Sequence, residues 1–200
     1  MIVYLVRHGQ TSWNRNHRLQ GLRDIPLNQT GIRQSQRLAE WHRKTGVKRI
    51  VSSPLLRARR TAQILAERAG HATSTDQRLR EIDHGPWTGL RLGVIEDRFP
   101  DDFATWNFFP EKLRMSNGES LMAVYRRCTA ALLDLLKENP EQDVLVVSHG
   151  VVNALLLCAA MGAGLNRIRE YAPHNAAVSA LTVQRGKIVA VERELHVTSE

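Results

Sequence analysis

Short apolar runs alternate with helical patterns along this chain, and this alternation limits the folds that it can adopt. Residues 2–6, 49–52 and 143–148 have the length of buried strands, and they are rich in valine and isoleucine. Amphipathic stretches of helical length separate these runs. Strands that alternate with helices predict an α/β fold built on a largely parallel sheet.

Capping residues predict where three of the helices begin. We expect Thr30 to cap a helix that Gly46 ends, because threonine favours the first position and glycine the position after the last turn. Ser53 followed by Pro54 predicts the start of a second helix, which continues to about residue 69. Ser-Asn-Gly-Glu at 116–119 has the spacing of a capping box and predicts the start of a third.

The C-terminal part of the chain predicts an apolar helix followed by a hairpin. The helix begins at Gly150 and ends at Gly162. Two β-like runs follow at 178–183 and 187–191, and the Arg-Gly pair at 185–186 between them is typical of a tight turn.

The segment between about residues 90 and 117 departs from the alternating pattern. It carries Trp106, Phe108 and Phe109 in a weak helical pattern, and we predict that it forms a small helical cap insertion over the edge of the sheet. The chain has no repeats, low-complexity segments or linkers. Its 200 residues are therefore expected to form a single domain, 1–200, with the cap inside it.

Polar residues suited to phosphate follow three of the predicted strands. The first strand ends in Arg7 and His8, the second leads to Arg57, and the third ends in His149 and Gly150. Ligands of open α/β sheets bind beyond the carboxyl ends of the strands, so parallel strands would bring these side chains together. Each residue alone is weak evidence, and the joint pattern carries the argument. The glycines after each histidine, at 9 and 150, would let backbone amides approach a ligand closely.

The charge of the chain also suits an anionic ligand. The formal net charge is +8, and only five of the 28 basic residues are lysines, so 23 are arginines. Arginine makes planar, bidentate contacts with oxyanions. A general preference for arginine on a solvated surface explains the excess equally well. The basic residues are scattered rather than clustered with aromatics, which argues against a nucleic-acid partner.

Several other routes to phosphate chemistry are absent from the sequence. It has no phosphate-binding loop of the Gly-x-x-x-x-Gly-Lys type and no cysteine followed at the sixth position by arginine. No histidine or carboxylate cluster has convincing metal spacing, and we expect neither a metal nor another cofactor. His84 lies near Glu81 and Asp83, and we interpret this group as solvated charges on a loop.

The remaining features predict a cytoplasmic protein. The N-terminus has no basic segment before its apolar run, which argues against a signal peptide. The longest apolar run, at 151–161, is too short to span a bilayer. Cys128 and Cys158 lie in apolar helical patterns, and we expect both to be reduced core thiols.

Ordered motifs over nearly the whole chain resemble those of the histidine phosphatase superfamily, which includes the cofactor-dependent phosphoglycerate mutases. The first match is Arg-His-Gly-Gln-Thr-Ser-Trp-Asn at 7–14, with Gln10 where the common signature has glutamate. The others are Gln-Gly at 20–21, Ser-Ser-Pro-Leu-Leu-Arg-Ala at 52–58, Glu81 with Gly85, Trp87 and Gly89, Gly-Glu-Ser at 118–120, His-Gly at 149–150 and Asn-Ala-Ala at 175–177. We expect a three-layer sandwich with a mostly parallel sheet, one antiparallel strand and helices on both faces.

The resemblance implies a role for each matching residue. His8 would be the nucleophile, Arg7, Arg57 and His149 would hold the phosphoryl oxygens, and Glu81 would give a proton to the leaving group. The remaining candidates would bind substrate: Thr11, Asn14, Gln20, Gly21 and Gly150. The nearby arginines would also disfavour a charged imidazole at His8, which lowers its pKa and leaves it neutral for attack.

Three functions remain open at this point. The short segment 90–117 and its aromatics favour a metal-independent phosphomonoesterase that acts on small phosphorylated metabolites through a phosphohistidine. A cofactor-dependent phosphoglycerate mutase is the first alternative, and a non-catalytic phosphate-binding regulator is the second. The expected partner is a small phosphate ester, with no nucleic acid and no membrane. A homodimer is open as well.

Overall fold

A six-stranded sheet forms the centre of the structure, which is a computed structural model that describes residues 1–196. The predicted domain extends to residue 200, and 197–200 lie outside the described residues. The spatial order of the strands is β3-β2-β4-β1-β5-β6. The strands are β1 (Ile2–Arg7), β2 (Arg49–Ser52), β3 (Thr73–Thr75), β4 (Val144–Ser148), β5 (Val178–Gln184) and β6 (Lys187–His196).

Strand β5 is antiparallel to both of its neighbours, β1 and β6, whereas β1, β2, β3 and β4 are parallel to one another. The described sheet is therefore mostly parallel with one antiparallel strand, as predicted. The hairpin that joins β5 to β6 turns at Arg185 and Gly186, also as predicted. Both turn residues have positive φ, +50° and +72°, which a two-residue hairpin turn of this kind requires.

Seven α-helices surround the described sheet. Those that pack on its faces are α2 (Gln29–Thr45), α3 (Leu56–Ala69), α6 (Leu121–Glu138) and α7 (Gly150–Met161), and the short ones are α1 (Ser12–Arg15), α4 (Leu92–Arg98) and α5 (Pro100–Phe108). Short 3-10 turns occupy Gln77–Leu79, Gly85–Trp87, Pro110–Lys112 and Leu165–Tyr171. Left-handed glycines follow α2, α3 and α7 at positions 46, 70 and 162, as predicted.

Two buried clusters show that the helices cover both faces of the sheet. Alternate residues of a strand point to opposite faces, and in β4 the side chains of Val144 and Val146 join one cluster while those of Leu145 and Val147 join the other. Helices α6 and α7 complete the first cluster, and α2 and α3 complete the second. The result is the expected three-layer sandwich.

Three predicted helix starts are wrong by a few residues. Helix α2 is capped by Asn28, whose side chain accepts from the Gly31 amide, and not by Thr30. Helix α3 begins after Leu55 rather than at Ser53. Helix α6 is capped by Ser120, so the tetrapeptide 116–119 is not its capping box. At α2 the cap is a local contact, and the Nδ2 of Asn28 also donates to Gln10 Oε1 over 2.8 Å. The reasons at α3 and α6 are contacts with distant parts of the chain, which are described below.

The segment predicted as a cap folds into α4, α5 and the turn Pro110–Lys112. Ile95 of α4 is fully buried and joins the cluster under α6 and α7. The aromatics of the segment differ in position. Trp106 packs edge-on against Trp87, with 6.3 Å between ring centroids, whereas Phe108 and Phe109 are exposed. The assignment of one domain with an inserted cap stays a prediction.

Helix α7 is the most apolar of the described helices, and seven of its residues are buried in the core. Within residues 1–196, no single helix combines the length and apolar composition that crossing a membrane requires. Helix α7 and the turn Leu165–Tyr171 pass that test only as a pair, and the pair is bent by 113°.

Candidate active site

The register of the central strands brings the polar residues at their carboxyl ends together. Arg7 of β1 pairs with Ser148 of β4, so His8 and His149 leave neighbouring strands side by side, with 5.2 Å between their ring centroids. Helix α3, which follows β2, brings Arg57 to the same point, where its Nε donates to His8 Nε2 over 3.2 Å. The convergence of His8, Arg57 and His149 is as the strand ends predicted.

A cavity of about 230 Å³ opens beside these residues. Eight of the ten predicted site residues line it: Arg7, His8, Asn14, Gln20, Gly21, Arg57, Glu81 and Gly150. Six further residues complete its lining: Arg18, Leu19, His84, Trp106, Val151 and Ala172. The lining therefore combines three arginines and one carboxylate with apolar side chains.

Two hydrogen bonds define the tautomer of His8. Its Nδ1 lies 2.7 Å from the carbonyl oxygen of Gly9, which can only accept, so Nδ1 carries a hydrogen. Its Nε2 accepts from Arg57 Nε–H and therefore carries a lone pair. The ring is neutral in this arrangement, and the atom that can attack an electrophile is Nε2.

Burial is the main reason that His8 stays neutral. The side chain is 2 % exposed, and loss of solvation disfavours the charged ring, which lowers the pKa of His8 well below its usual value. Arg57 and then Arg7 lower the pKa further, and the Gly9 carbonyl opposes them weakly. The direction predicted from the arginines is confirmed, with burial as the larger cause.

The two arginines are held by backbone carbonyls, which fixes their direction. Arg57 is 1 % exposed, and its Nη1 and Nη2 donate to the carbonyls of Arg23 and Gly21 over 2.8 and 2.9 Å. Arg7 Nη1 donates to the Pro173 carbonyl over 2.7 Å, and its buried Nε has no partner within residues 1–196. Burial lowers the pKa of Arg57 to about 10, so its guanidinium remains charged near neutral pH. Burial also lowers the pKa of Arg7, and Glu81 opposes that shift; an arginine side chain stays protonated in proteins.

His149 has the opposite tautomer, and Ser53 is the reason. Ser53 Oγ accepts from the Leu55 amide over 3.2 Å and lies 2.7 Å from His149 Nε2. If the hydroxyl hydrogen is to find an acceptor in this buried position, it must point to Nε2. Nδ1 of His149 then carries the ring hydrogen, and Nδ1 is buried with no partner in the described chain. Burial, followed by Arg57, lowers the pKa of His149 well below its usual value.

Glu81 reaches the cavity from the loop after the turn Gln77–Leu79. Its carboxylate accepts from two backbone amides, those of Ile82 over 3.0 Å and Val151 over 3.4 Å. Val151 belongs to the first turn of α7, where unpaired amides and the helix dipole favour negative charge. Among the described residues that line the cavity, Glu81 is the one carboxylate, and it lies at a helix N-terminus, where it interacts electrostatically with Arg7 and Arg57.

Thr11, which was predicted to bind substrate, and Gly9, whose amide was expected to approach a ligand, both make structural contacts instead. Thr11 is fully buried and is not part of the lining. It caps α1, where its amide donates to Asn14 Oδ1 and its hydroxyl accepts from the Asn14 amide, each over 3.1 Å. Gly9 also departs from the expectation, because its amide donates to Thr61 Oγ1. A Cβ on Gly9 would lie 2.5 Å from the Gly31 carbonyl oxygen, so this glycine serves close packing against α2.

Two further residues of the site, His84 and Asn175, were not predicted from the sequence. His84 is 4 % exposed and lines the cavity, so its interpretation as part of a solvated loop is wrong. Burial lowers the pKa of His84 to about 4 although Asp83 opposes the shift, and its Nδ1 has no partner in the described chain. Asn175 Nδ2 donates to the His8 carbonyl over 3.0 Å and thereby holds the backbone of His8. The only available signal was their membership in matching motifs.

The described part of the chain holds no cluster of three or more histidine, cysteine, aspartate or glutamate residues that could bind a metal ion. Positive charge in the cavity comes from arginine side chains. Arg7, Arg18 and Arg57 all lie in its lining, and Arg18 Nη1 donates to the Gly89 carbonyl over 2.7 Å. The arrangement combines an unprotonated ring nitrogen, two fixed cations and one carboxylate, which are the parts that transfer of a phosphoryl group requires.

Comparisons with known proteins agree with this chemistry. The family model of the histidine phosphatase superfamily (branch 1) matches residues 3–195. Phosphoserine phosphatase 1 of Hydrogenobacter thermophilus is 34% identical over 190 residues, which cover 95% of this chain and 90% of that protein. A probable phosphoglycerate mutase, GpmB of Klebsiella pneumoniae, is 35% identical over 197 residues, which cover 94% and 87%.

Solved structures agree as well. YhfR of Bacillus stearothermophilus superposes with a TM-score of 0.92 at 29% identity, and the match covers 98% of each chain. A mycobacterial glucosyl-3-phosphoglycerate phosphatase superposes with a TM-score of 0.81 at 31% identity, covering 90% of this chain and 92% of the other. On the family match, the relatives and the fold together, this chain is a phosphatase that belongs to branch 1 of the histidine phosphatase superfamily.

Proposed function

We propose that this phosphatase is a metal-independent phosphomonoesterase that hydrolyses small phosphorylated metabolites through a phosphohistidine on His8. The observation that carries the proposal is the lone pair on His8 Nε2, which is held in a buried, neutral ring beside the Arg57 guanidinium. A neutral imidazole beside fixed positive charge can attack a phosphorus atom whose oxygens those charges bind.

In the first step, His8 Nε2 attacks phosphorus and the bond from phosphorus to the ester oxygen breaks. Glu81 takes up a proton when the negative charge of the phosphate ester comes to lie beside it. It gives this proton to the leaving alkoxide, so the alcohol departs neutral and Glu81 becomes a carboxylate again. Nδ1–H of the phosphorylated ring stays on the Gly9 carbonyl, 2.7 Å away, which favours the positive charge that the ring gains. Arg7, Arg57 and the free Nδ1–H of His149 bind the phosphoryl oxygens and balance their charge.

In the second step, a water molecule attacks phosphorus from the side that the alcohol has left. Glu81 takes a proton from this water, and the bond between phosphorus and Nε2 breaks. Inorganic phosphate leaves, His8 returns to its neutral form, and Glu81 is protonated again. Asn14 and Gln20 line the same cavity, and Gly21 holds Arg57 through its carbonyl oxygen, 2.9 Å from Nη2. These contacts support the substrate-binding roles expected for the three residues.

The size and lining of the cavity favour a small alcohol as the leaving group. Its volume of about 230 Å³ holds a phosphoryl group and a short carbon skeleton. Leu19, Trp106 and Ala172 offer apolar contacts there, and Arg18 and His84 add polar ones. Phosphoserine and phosphoglycerate-type esters are reasonable first substrates, since the names of two relatives refer to them. The similarity to a probable phosphoglycerate mutase favours phosphoglycerate mutase activity as the second candidate.

The test is an assay of the purified protein in excess EDTA. The substrates are p-nitrophenyl phosphate, phosphoserine and 3-phosphoglycerate, the last with and without a trace of 2,3-bisphosphoglycerate. We expect release of inorganic phosphate that EDTA does not inhibit, and its complete loss in His8→Ala. His17→Asn is the matched control, because His17 is exposed and outside the cavity. Formation of 2-phosphoglycerate without phosphate release would favour the mutase, and substantial activity in His8→Ala would refute the nucleophile.

A further inference from the structure

A partly buried ion pair packs against the loop that carries Glu81. Arg127 of α6 and Glu119, just before that helix, are 12 % and 18 % exposed in their side chains. The pair is bidentate, with Nε donating to Oε1 over 3.0 Å and Nη2 to Oε2 over 2.9 Å. Neither residue lines the cavity. Charges removed from water are retained without loss of stability only when further hydrogen bonds satisfy them, so the remaining contacts of the pair are informative.

All of the remaining donors of Arg127 point to one loop. Its Nη1 donates to the carbonyls of Arg78 and Arg80 over 2.7 and 2.6 Å, and its Nη2 donates to the carbonyl of Glu81 over 3.1 Å. A guanidinium has five N–H donors, and the two bonds to Glu119 and these three use them all. The side chain of Arg127 therefore fixes three carbonyls in a stretch of four residues that ends at Glu81.

Glu119 holds the same loop on the other side of Glu81. Its Oε2 accepts from the Asp83 amide over 3.0 Å, and its own amide donates to the Asp83 carbonyl over 2.9 Å. Its Oε1 also accepts from Arg80 Nη2 over 3.1 Å. The ion pair thus forms hydrogen bonds with the backbone before, at and after Glu81. We call this set of contacts the 127–119 clamp.

The carboxylate of Glu81 depends on this backbone for its direction. Its hydrogen bonds in the described chain are to the amides of Ile82 and Val151, and the Val151 bond is long, at 3.4 Å. A proton donor must lie within hydrogen-bond distance of the leaving oxygen, and a displacement of about 1 Å can reduce a rate by about 100-fold. A loop that relaxes away from α6 would carry the carboxyl group with it.

We infer that Arg127, oriented by Glu119, is a positioning residue that aims Glu81 at the oxygen of the leaving group. The inference rests on the proposed function, because it assigns the clamp to the proton transfer in the first step. The 127–119 clamp contacts neither His8 nor the proposed site of the phosphoryl oxygens. The effect of loosening the clamp must therefore depend on how strongly the leaving group needs a proton.

The experiment compares Arg127→Lys with the wild-type protein on two esters. Lysine keeps the charge but has three donors, so it cannot satisfy five acceptors. The parameter is kcat/KM, which covers steps up to departure of the alcohol and leaves out the later attack by water. For phosphoserine or β-glycerophosphate, whose alkoxides need a proton, we expect a loss of about 10- to 100-fold. For p-nitrophenyl phosphate, whose phenolate leaves unaided, we expect a loss below about threefold.

A double-mutant cycle identifies the residue through which the clamp acts. Once Glu81→Gln has removed the proton donor, adding Arg127→Lys should cost no further factor on the alkyl ester, because coupled residues are not additive. Arg126→Lys is the matched control, because Arg126 is the exposed neighbour on the same helix. It should leave both esters unaffected.

Glu119→Gln, which keeps the shape of the side chain, gives a second route to the same answer if Arg127→Lys does not fold. Circular dichroism identifies the folded variants, and we expect the same dependence on the leaving group in each. Equal losses on both esters, or independent effects in the cycle, would overturn the positioning role and leave the proposed function intact. Failure of both clamp variants to fold would also overturn it, since the pair would then serve the fold. A wild-type protein inactive on every ester would overturn both proposals.

Discussion

At the scale of single residues, the site uses two histidines of the same chemical type in opposite tautomers. His8 Nδ1–H donates a hydrogen bond to the Gly9 carbonyl, so the lone pair of the neutral ring is on Nε2. The Ser53 hydroxyl donates a hydrogen bond to His149 Nε2, so the ring hydrogen of His149 is on Nδ1. In the proposed mechanism, one ring would attack phosphorus and the other would donate to an oxygen, although burial keeps the pKa of both below its usual value. The partner of each ring, rather than the ring itself, assigns its task.

Substitution of Ser53 tests this assignment. Ser53→Ala leaves Nε2 of a fully buried histidine without a partner, which should lower the free energy of unfolding by about 1–3 kcal/mol. It should also reduce kcat/KM, because the tautomer of His149 is no longer fixed. Ser52→Ala is the matched control, since the Ser52 hydroxyl is equally buried and has no partner in the described chain. Urea denaturation and p-nitrophenyl phosphate kinetics measure both effects, and equal changes in the two variants would contradict the role of Ser53.

The sequence predicted the residues of the site that strand ends carry. His8 and His149 follow parallel neighbouring strands, and the parallel register of β1 and β4 leaves them no other position. Residues that act through distant contacts left no such signal. In the sequence, Ser53 has the pattern of a helix cap, and only the structure shows its contact with His149. His84 has the pattern of a solvated loop residue, and only the structure shows that Trp106 packs against it, with 6.4 Å between ring centroids. Local patterns cannot report partners that lie far away in the chain.

At the scale of elements, the same limit explains the misplaced starts of α3 and α6. The first amide of α3, that of Leu56, donates to Asp24 Oδ1 over 2.7 Å, so the capping group comes from a segment 32 residues away. Glu119 has capping-box spacing, but its carboxylate is bound to Arg127. The C-terminal ends of the helices were predicted more accurately than their starts. A left-handed glycine such as Gly46 ends a helix through its own backbone conformation and needs no distant partner.

The contact between α2 and the loop after β1 gives a prediction at this scale. Gly31 lies in the first turn of α2, and a Cβ there would be 2.0 Å from the carbonyl oxygen of Gln10. Because that oxygen belongs to the backbone, Gly31→Ala should shift the loop next to His8 and lower the free energy of unfolding by about 1–3 kcal/mol. It should also reduce kcat/KM for p-nitrophenyl phosphate.

Gly93→Ala is the control for this substitution. Gly93 is an exposed residue of α4, and a Cβ there would meet no atom within 4 Å. Alanine in a helix is favoured over glycine by about 0.5–1 kcal/mol, so this variant should be slightly more stable than the wild type, with unchanged activity. Thermal and urea denaturation compare the two variants. Similar stability changes in both would mean that the close approach at Gly31 is not a constraint.

At the scale of the whole molecule, the carboxyl edge of the sheet collects groups that resist protonation. His8, His84 and His149 are all buried there, and burial is the main reason that the pKa of each lies below its usual value of 6.5. Arg57 lowers all three pKa values further, whereas Asp83 opposes the shift of His84. In the unfolded chain each would have an ordinary pKa. Between the folded and the unfolded pKa, the unfolded state therefore binds more protons, and the free energy of unfolding falls as the pH falls.

This difference in histidine pKa between the folded and unfolded states predicts that acid destabilises the protein. The destabilisation begins below pH 6.5, which is above the range where carboxylates titrate. Each histidine that is neutral in the folded state contributes a slope of up to about 1.4 kcal/mol per pH unit. For His84, whose folded pKa is about 4, the window runs from 6.5 down to about 4. Urea denaturation across this range should give a shallower slope in His84→Gln, by about one proton. His17→Gln is the control, because His17 is exposed and lies outside the cavity. An unchanged slope in His84→Gln would mean that His84 titrates alike in both states, and that its burial does not oppose protonation.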